Sequence, residues 1–353
     1  MKGVVMLDFS SDYTRGCYPE ILDALKACND RDLLGYGNDE ITERAKKRIR
    51  AACAAPDAEV FLLEGGTQVN QIATKILLDP WQGVIAADTA HVALHEAGAI
   101  EHAGHKVIAL PSCDGKITAT QIEACLEQDA IDENREHMVE PGMVYLTYPT
   151  EYGTLYALDE LEQIAHVCQQ FDIPLYLDGA RLGYGLAAAD ADVTLPDIAR
   201  LCDCFYIGGT KLGALIGEAL VLPRKRVPRL LSLVKQSGAL LAKGWLLGVQ
   251  FDVLFDRVED ESFEKSLYMR GANNALACAA LLVQGLRAKG YEFAVDSPTN
   301  QQFVIVDDEL LARMPDTVRY GFWERLADGR TVIRFATSWH TTEKDVRALL
   351  DLL

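Results

Sequence analysis

Three stretches of the chain hold residue types that could do chemistry. The apolar run Pro174-Leu-Tyr-Leu177 ends in Asp178-Gly-Ala-Arg181, and the run Cys204-Phe-Tyr-Ile207 leads into Gly208-Gly-Thr210-Lys211. A carboxylate at the end of a buried strand is costly unless a cation or several donors meet it. In an open α/β sheet, ligands bind beyond the carboxyl ends of the strands, so Asp178, Arg181 and Lys211 are expected on one rim. The spacing leaves two readings open. One is a binding centre; the other is an Asp178–Lys211 or Asp178–Arg181 ion pair that only ties loops together.

The second stretch is Leu62-Leu-Glu-Gly65-Gly66-Thr67, where an expected strand turns into an expected helix. Paired glycines let a ligand approach the backbone, and a helix N-terminus with free N–H groups suits a phosphate. It is neither G-x-G-x-x-G nor a P-loop. The third is a histidine cluster: His91, His95, His102 and His105. His91 and His95 are spaced to share a helix face, but no H-E-x-x-H and no nearby Cys or Asp completes a metal set, so no metal is expected. A flat imidazole just past the strand Val84–Ala87 could instead stack on a planar ring. His102 and His105 read as ordinary surface or capping residues.

The elements that must position these residues follow from the pattern. Short apolar runs, at Val60–Leu63, Val84–Ala87, Val107–Leu110, Met143–Tyr148, Leu175–Leu177, Cys204–Ile207 and Ala219–Leu222, alternate with helical segments such as Thr67–Leu78, Thr118–Gln128 and Leu158–Phe171. That predicts a mostly parallel sheet covered on both faces. Helical stretches at Pro19–Cys28 and Glu40–Ala54 precede it, the latter with a basic run from Arg44 to Arg50 read as a solvated face. Beyond about Val227 the pattern changes. Helical stretches at Leu246–Asp256 and Lys265–Lys289, short β segments at Gln302–Val306, Val318–Trp323 and Thr331–Thr337, and a last helix from Thr342 predict a smaller α+β domain. The division is drawn as 1–240 and 241–353, with a long helix bridging the parts.

Composition bounds the rest. The 353 residues carry 34 Lys and Arg against 52 Asp and Glu, a net charge of −18, with 49% hydrophobic and 24% charged residues. That argues for a folded chain, and such an acidic chain repels phosphate backbones, so nucleic acid is not an expected partner. No apolar run approaches the ~20 residues of a membrane span. Met1–Asp12 lacks the pattern of a signal peptide. The nine cysteines show no paired spacing, and Cys202 and Cys204 are too close for a zinc knuckle, so a reduced, cytoplasmic protein is expected.

Further motifs join these in order along the chain: Ser10-Ser11-Asp12, Gly35-Tyr36-Gly37-Asn-Asp39, Gly65-Gly66-Thr67-x-x-Asn70, His91-x-x-x-x-Glu96-Ala-Gly98, Asp178-Gly-Ala-Arg181-Leu182, Thr210-Lys211 and Arg334-Phe-x-Thr337-x-Trp339. Over nearly the whole chain this resembles the low-specificity L-threonine aldolases, within the fold-type I enzymes that use pyridoxal 5′-phosphate (PLP); D-G-A-R-L is the most specific match. The resemblance implies that Lys211 forms the Schiff base with PLP and Asp178 pairs with the pyridine nitrogen. It implies that His91 stacks on the ring, and that Gly66, Thr67 and Thr210 hold the phosphate. Arg181 and Arg334, with Ser11, would bind the substrate carboxylate, for which the arginine fork is matched. The implied activity is cleavage of L-threonine or L-allo-threonine to glycine and an aldehyde, by a homodimer or homotetramer. Candidate bases for the β-hydroxyl are His91, His95 or a bound water.

The chain departs from the pattern in places. Gly65 replaces a serine of the phosphate turn, and Leu212-Gly213 lacks a glycine of the usual K-G-L-G. Thr147-Tyr-Pro149-Thr150-Glu151-Tyr152-Gly153 replaces a longer stretch that often brings a second histidine. β-Elimination, transamination or racemisation on the same cofactor is the alternative reaction class, and a binding or regulatory module the alternative function class.

Overall fold

The computed structural model describes residues 6–224 and 227–353; of the stretch Met1–Asp12, residues 1–5 lie outside it. After a two-residue strand β1 (Leu7–Asp8), seven strands build the main sheet: β2 (Glu59–Leu63), β3 (Gln82–Ala87), β4 (Val107–Leu110), β5 (Glu140–Thr147), β6 (Leu175–Asp178), β7 (Cys204–Gly208) and β8 (Glu218–Leu222). Their order is β2-β8-β7-β6-β5-β3-β4. Strands β3 to β7 run parallel, and β8 is antiparallel to both β7 and β2. All seven expected strands form. Most of their residues are buried on both sides, which is why they read as apolar runs without alternation.

Helices at Gly66–Leu77, Ala119–Ile131 and Leu158–Gln170 connect the strands, within a few residues of expectation. Thr118 and Gln121 form a capping box that fixes where the second begins. Four short helices, His91–Leu94, Ala99–His102, Leu182–Leu186 and Leu195–Leu201, were not expected, being too short to show a helical period. The basic run of helix Glu40–Ala52 is only partly a solvated face. Arg44 Nε donates to Asp252 Oδ1 at 2.8 Å, tying this helix to Trp245–Leu254.

The C-terminal part adds β9 (Glu292–Phe293), β10 (Gln301–Val306), β11 (Val318–Arg319), β12 (Gly321–Arg325) and β13 (Thr331–Ala336). Four of them form an antiparallel sheet in the order β12-β13-β10-β9. The segment expected as one strand over Val318–Trp323 breaks at Tyr320. Strand β11 pairs in parallel with β1, whereas β12 pairs with β13. Helix Leu267–Ala288 joins two cores. Tyr268, Met269, Ala272 and Ala275 belong to the large one, and Cys278, Leu282 and Leu286 to the small one. Residues 240 and 241 lie between two helices, Leu230–Gln236 and Trp245–Leu254, that both contribute to the large core.

The N-terminal strand is therefore carried by the smaller core. Leu7 and Phe9 are buried in its core, Phe9 lies edge-on to Phe335 at 6.3 Å, and the Phe9 carbonyl accepts from Ala336 N at 2.8 Å. This delivers Ser10, Ser11 and Asp12 beside Arg334 of β13. Phe9→Ala is expected to cost about 3–5 kcal/mol of stability, as for other buried Phe truncations. A melting temperature unchanged by this variant would refute the anchoring.

Candidate active site

The strands β5, β6 and β7 end side by side, with Thr147 opposite Asp178 in register. Asp178 is buried, and three neutral donors meet it. Tyr145 Oη donates to Oδ2 at 2.6 Å, Asn70 Nδ2 to Oδ2 at 3.1 Å, and Ala180 N to Oδ1 at 2.9 Å. Neither ion pair left open by the spacing forms. Gly179 is required here, because a Cβ would stand 2.0 Å from the Tyr206 carbonyl of β7.

Asn70, on helix Gly66–Leu77, links two carboxylates. Its Nδ2 also donates to Glu96 Oε1 at 2.7 Å, and its Oδ1 accepts from Tyr176 Oη at 2.8 Å. Glu96 in turn holds His91 Nδ1 at 2.8 Å. Burial lowers the His91 pKa, but the Glu96 bond and the charges of Glu151 and Asp178 outweigh it, so the net shift is upward. The His95 ring lies 5.8 Å from that of His91 and 6.5 Å from that of Trp323. His102 is exposed, and His105 Nδ1 is hydrogen-bonded to the Gln82 carbonyl at 2.9 Å. Among the described residues no group of three or more His, Cys, Asp or Glu is placed to hold a metal.

Lys211 sits in the single turn Thr210–Leu212 that follows β7. Its backbone carbonyl accepts from Tyr184 Oη at 2.6 Å, and among the described residues no hydrogen bond or ion pair engages Nζ. Burial lowers its pKa, and the Arg181 charge adds to the effect, over the opposing pull of Asp12, Glu151 and Asp178. An amine held closer to its neutral form is a better nucleophile.

Lys211 stands between two joined cavities. One, of about 320 Å³, is lined by Gly65, Gly66, Thr67, Thr210, Asp178 and Glu218 among others. Gly65 caps helix Gly66–Leu77 without a side-chain bond, and a Cβ there would meet nothing within 4 Å, so the cup is open above the first-turn N–H groups. That is a seat for a phosphate. A Cβ on Gly66 would approach Tyr206 Oη to 2.8 Å, so this position needs glycine for packing. The cup also holds an acid missed in the sequence. Glu218 Oε2 accepts from Gly209 N at 2.8 Å, and the Thr210 hydroxyl faces the same carboxylate while accepting from Gly217 N at 3.3 Å.

The second cavity, of about 440 Å³, is lined by Arg181, Arg334, His95, Tyr152 and Trp323 among others. Arg181 is not free. Its Nε and Nη2 form a fork on Asp12, at 2.7 and 3.0 Å, and Asn300 Nδ2 donates to Asp12 at 3.0 Å. Burial opposes ionisation of Asp12, yet Arg181 and Lys211 hold its pKa down at about 2. Arg334 donates from Nη1 to Gln301 Oε1 and from Nη2 to the Ser10 carbonyl, both at 2.9 Å. Its Nε and the Ser11 hydroxyl are buried with no partner among the described residues. Burial and the neighbouring Arg181 lower the Arg334 pKa. Arg181 is paired with Asp12, whereas among the described residues Arg334 is held only through neutral oxygens, which leaves its charge for an anion.

The family model for beta-eliminating lyases matches residues 8–309. The chain belongs to the beta-eliminating lyase family. A low-specificity L-threonine aldolase of Pseudomonas sp. (strain NCIMB 10558) is 31% identical over 349 residues, covering 97% of this chain and 95% of that protein. A solved structure of Leishmania major threonine aldolase superposes with a TM-score of 0.92 at 40% identity, covering 98% of each chain. Thermus thermophilus aspartate aminotransferase, at 16% identity and a TM-score of 0.72 over 99% of this chain and 91% of that one, shares the fold. The fold is thus the fold-type I architecture anticipated in the sequence.

The missed residues are Asp12, Tyr145, Glu151 and Glu218 as members of the site, and Asn70 as the link between carboxylates. Of these, Asn70 and Asp12 had a signal as parts of quoted motifs, and Glu151 lay in the stretch quoted as a departure from the family pattern. Glu218 makes a checkable difference. Burial pushes its pKa from 4.5 up to about 7, against the bonds from Thr210 and Gly209. Between those values the native state holds a proton that the unfolded state has released, so stability falls as pH rises and the loss is complete above 7. The effect is about 3 kcal/mol at most. Relative to wild-type apoprotein, Glu218→Gln is expected to gain melting temperature progressively from pH 5 to pH 8. A constant difference over that range would refute the assignment.

Proposed function

We propose that this protein is a PLP-dependent aldolase that cleaves L-threonine and L-allo-threonine to glycine and acetaldehyde. The observation that carries the reading is the placement of an unpaired lysine, with its pKa lowered, at the junction of a phosphate-type cup and a cleft with two arginines. The threonine aldolase relatives support the same reading.

The residues present fit the cofactor. Asp178 is a buried carboxylate with neutral donors only, and a protonated pyridine nitrogen would give it the cation it lacks. The open N-terminus of helix Gly66–Leu77 would take the phosphate through Gly66 and Thr67, with Thr210 at its border. His91, oriented by Glu96, presents a flat ring at the same cavity. Lys211 supplies the amine that PLP enzymes require. When bound, PLP supplies an electron-accepting ring that stabilises the electron pair left on Cα.

The chain's own residues do the rest. The unpartnered Ser11 hydroxyl and Arg334 Nε, with the N–H groups of Arg181 that Asp12 does not use, would receive the substrate carboxylate. Fixing that end of the substrate orients the bond to be broken relative to Lys211. Asp12 keeps the Arg181 fork planar and aimed, so Arg181 binds without having to be ordered first.

The assembly and location complete the proposal. Leu215 and Ile216, at 50% and 39% exposure, border the cup, and Tyr13, at 56%, borders both cavities; large apolar groups left open at a site suit coverage by a second copy. A homodimer or homotetramer is the assembly proposed. Among the described residues no helix is long and apolar enough to cross a membrane, and the nine cysteines are unpaired. Free thiols throughout support a cytoplasmic location.

Purified protein should be yellow, lose its visible band on borohydride treatment, and release equal amounts of glycine and acetaldehyde from L-threonine or L-allo-threonine. Keto acid or ammonia without aldehyde would assign the alternative reaction class. Lys211→Ala should abolish turnover and leave PLP bound only non-covalently. Arg334→Ala should raise KM for L-threonine by about 10-fold or more, the loss of one charged hydrogen bond; an unchanged KM would place the carboxylate elsewhere.

A further inference from the structure

The other buried carboxylates around the cleft each have at least one donor: Asp12 has Arg181 and Asn300, Glu96 has Asn70 and His91 on Oε1 while its Oε2 is buried without a partner among the described residues, Asp178 has its three neutral donors, and Glu218 has Gly209. Glu151 is different. It is 8% exposed, yet among the described residues no hydrogen bond or ion pair reaches its carboxylate. Its oxygens are not sealed in the interior but open to the cleft, where a ligand can meet them.

Its placement is tightly built. Glu151 is the second residue of the turn Thr150–Gly153, closed by Gly153 N to the Thr150 carbonyl at 2.8 Å. The Thr150 and Thr154 hydroxyls lie 2.6 Å apart beneath it, and Ser297 and Thr299 hold the Gly153 carbonyl at 3.4 and 3.2 Å. Gly153, at φ 72°, is where the turn reverses, a conformation that favours glycine. So the backbone is pinned by both domains while the carboxylate is left unengaged. That carboxylate borders both cavities, a position shared with Tyr13, His91 and Lys211. The charges it acts on there are those of Lys211, Arg181, His91 and Arg334.

We propose that Glu151 is the base that removes the β-hydroxyl proton of the substrate. This rests on the aldolase reading and deepens it. The arginines hold the substrate carboxylate and Lys211 marks the side of the amino nitrogen, which leaves two Cα substituents, hydrogen and the β-carbon, for the space that Glu151 borders. His91 has Nδ1 paired with Glu96, so only its Nε2 could accept a proton, and the upward shift of its pKa works against the neutral form this needs. His95 stands further out, toward Trp323. In the step, the O–H bond breaks to a Glu151 oxygen, its electron pair becomes the π bond of the aldehyde, and the Cα–Cβ pair remains on Cα. Glu151 returns that proton to solvent, and the one glycine needs at Cα comes by way of the Lys211 amine, so no net proton is consumed.

The test compares two reactions of the holoenzyme. One is cleavage of L-threonine; the other is exchange of the glycine Cα proton with solvent deuterium, which needs Lys211 and the arginines but no β-hydroxyl base. For Glu151→Gln, cleavage should fall about 100-fold or more, as for loss of a general base. Glycine exchange should stay within a few-fold of wild type, and the visible band should persist. Formate should restore part of the cleavage in Glu151→Ala. Cleavage unchanged in Glu151→Gln overturns the proposal, and so does an equal loss of cleavage and exchange with no rescue by formate, which makes Glu151 a support of its turn. Wild-type protein that releases no acetaldehyde defeats the aldolase reading and this step with it; wild-type cleavage with an unaffected variant defeats the step alone.

Discussion

A carboxylate at the closed end of a sheet has to be kept charged without a cation beside it. Asp178 meets that constraint with a phenol, an amide and a backbone N–H, each from a different place in the chain. Neutral donors offset part of the cost of burial and leave the charge itself unspent. The strand ends, the glycine at 179 and the stacking of β6 on β7 all serve that arrangement. Had Arg181 or Lys211 been the partner, the site would have consumed the charges it needs for its ligands.

The same economy of charge runs through the rest of the cleft. Asp12 takes two N–H groups of Arg181 and leaves others, while Arg334 is held through neutral carbonyl oxygens. Asn70 lets one amide steady both Asp178 and the Glu96–His91 pair, so the carboxylate and the imidazole at the cavity are held as one unit. Acid in excess over the whole chain and positive charge in one cleft are therefore compatible. The net charge of −18 describes the exterior and says little about the ligands inside.

Much of this was legible in the sequence, for identifiable reasons. Strands buried on both faces write long apolar runs, and the carboxyl-end rule places Asp178, Lys211 and the glycine turn on one rim without knowing the fold in detail. Arg334 and Ser11 came only through resemblance, since nothing local marks a strand arginine as reaching a cleft. Glu218 was not legible at all, and Glu151 was visible only as part of a turn that departs from the family pattern. Glu218 opens β8 and looks like the polar start of a strand; its burial comes from β2 and β7 on either side. Glu151 sits in what reads as a polar turn, and the contact that encloses it, Gln301 Nε2 to its carbonyl at 3.4 Å, comes from 150 residues away. Burial made by distant partners leaves no local pattern.

The strap formed by Ser10, Ser11 and Asp12 has one more implication. Ser10 grips Arg334, Asp12 grips Arg181, and Ser11 lies between them with its hydroxyl unengaged among the described residues. A peptide spans at most about 3.3–3.6 Å per residue, so covalent geometry sets an upper bound on the gap between the two guanidiniums. The anion seat thus works like a caliper whose jaws are set by three consecutive residues. Drift in the packing of the two domains over evolution would be tolerated only so far as this short ruler allows.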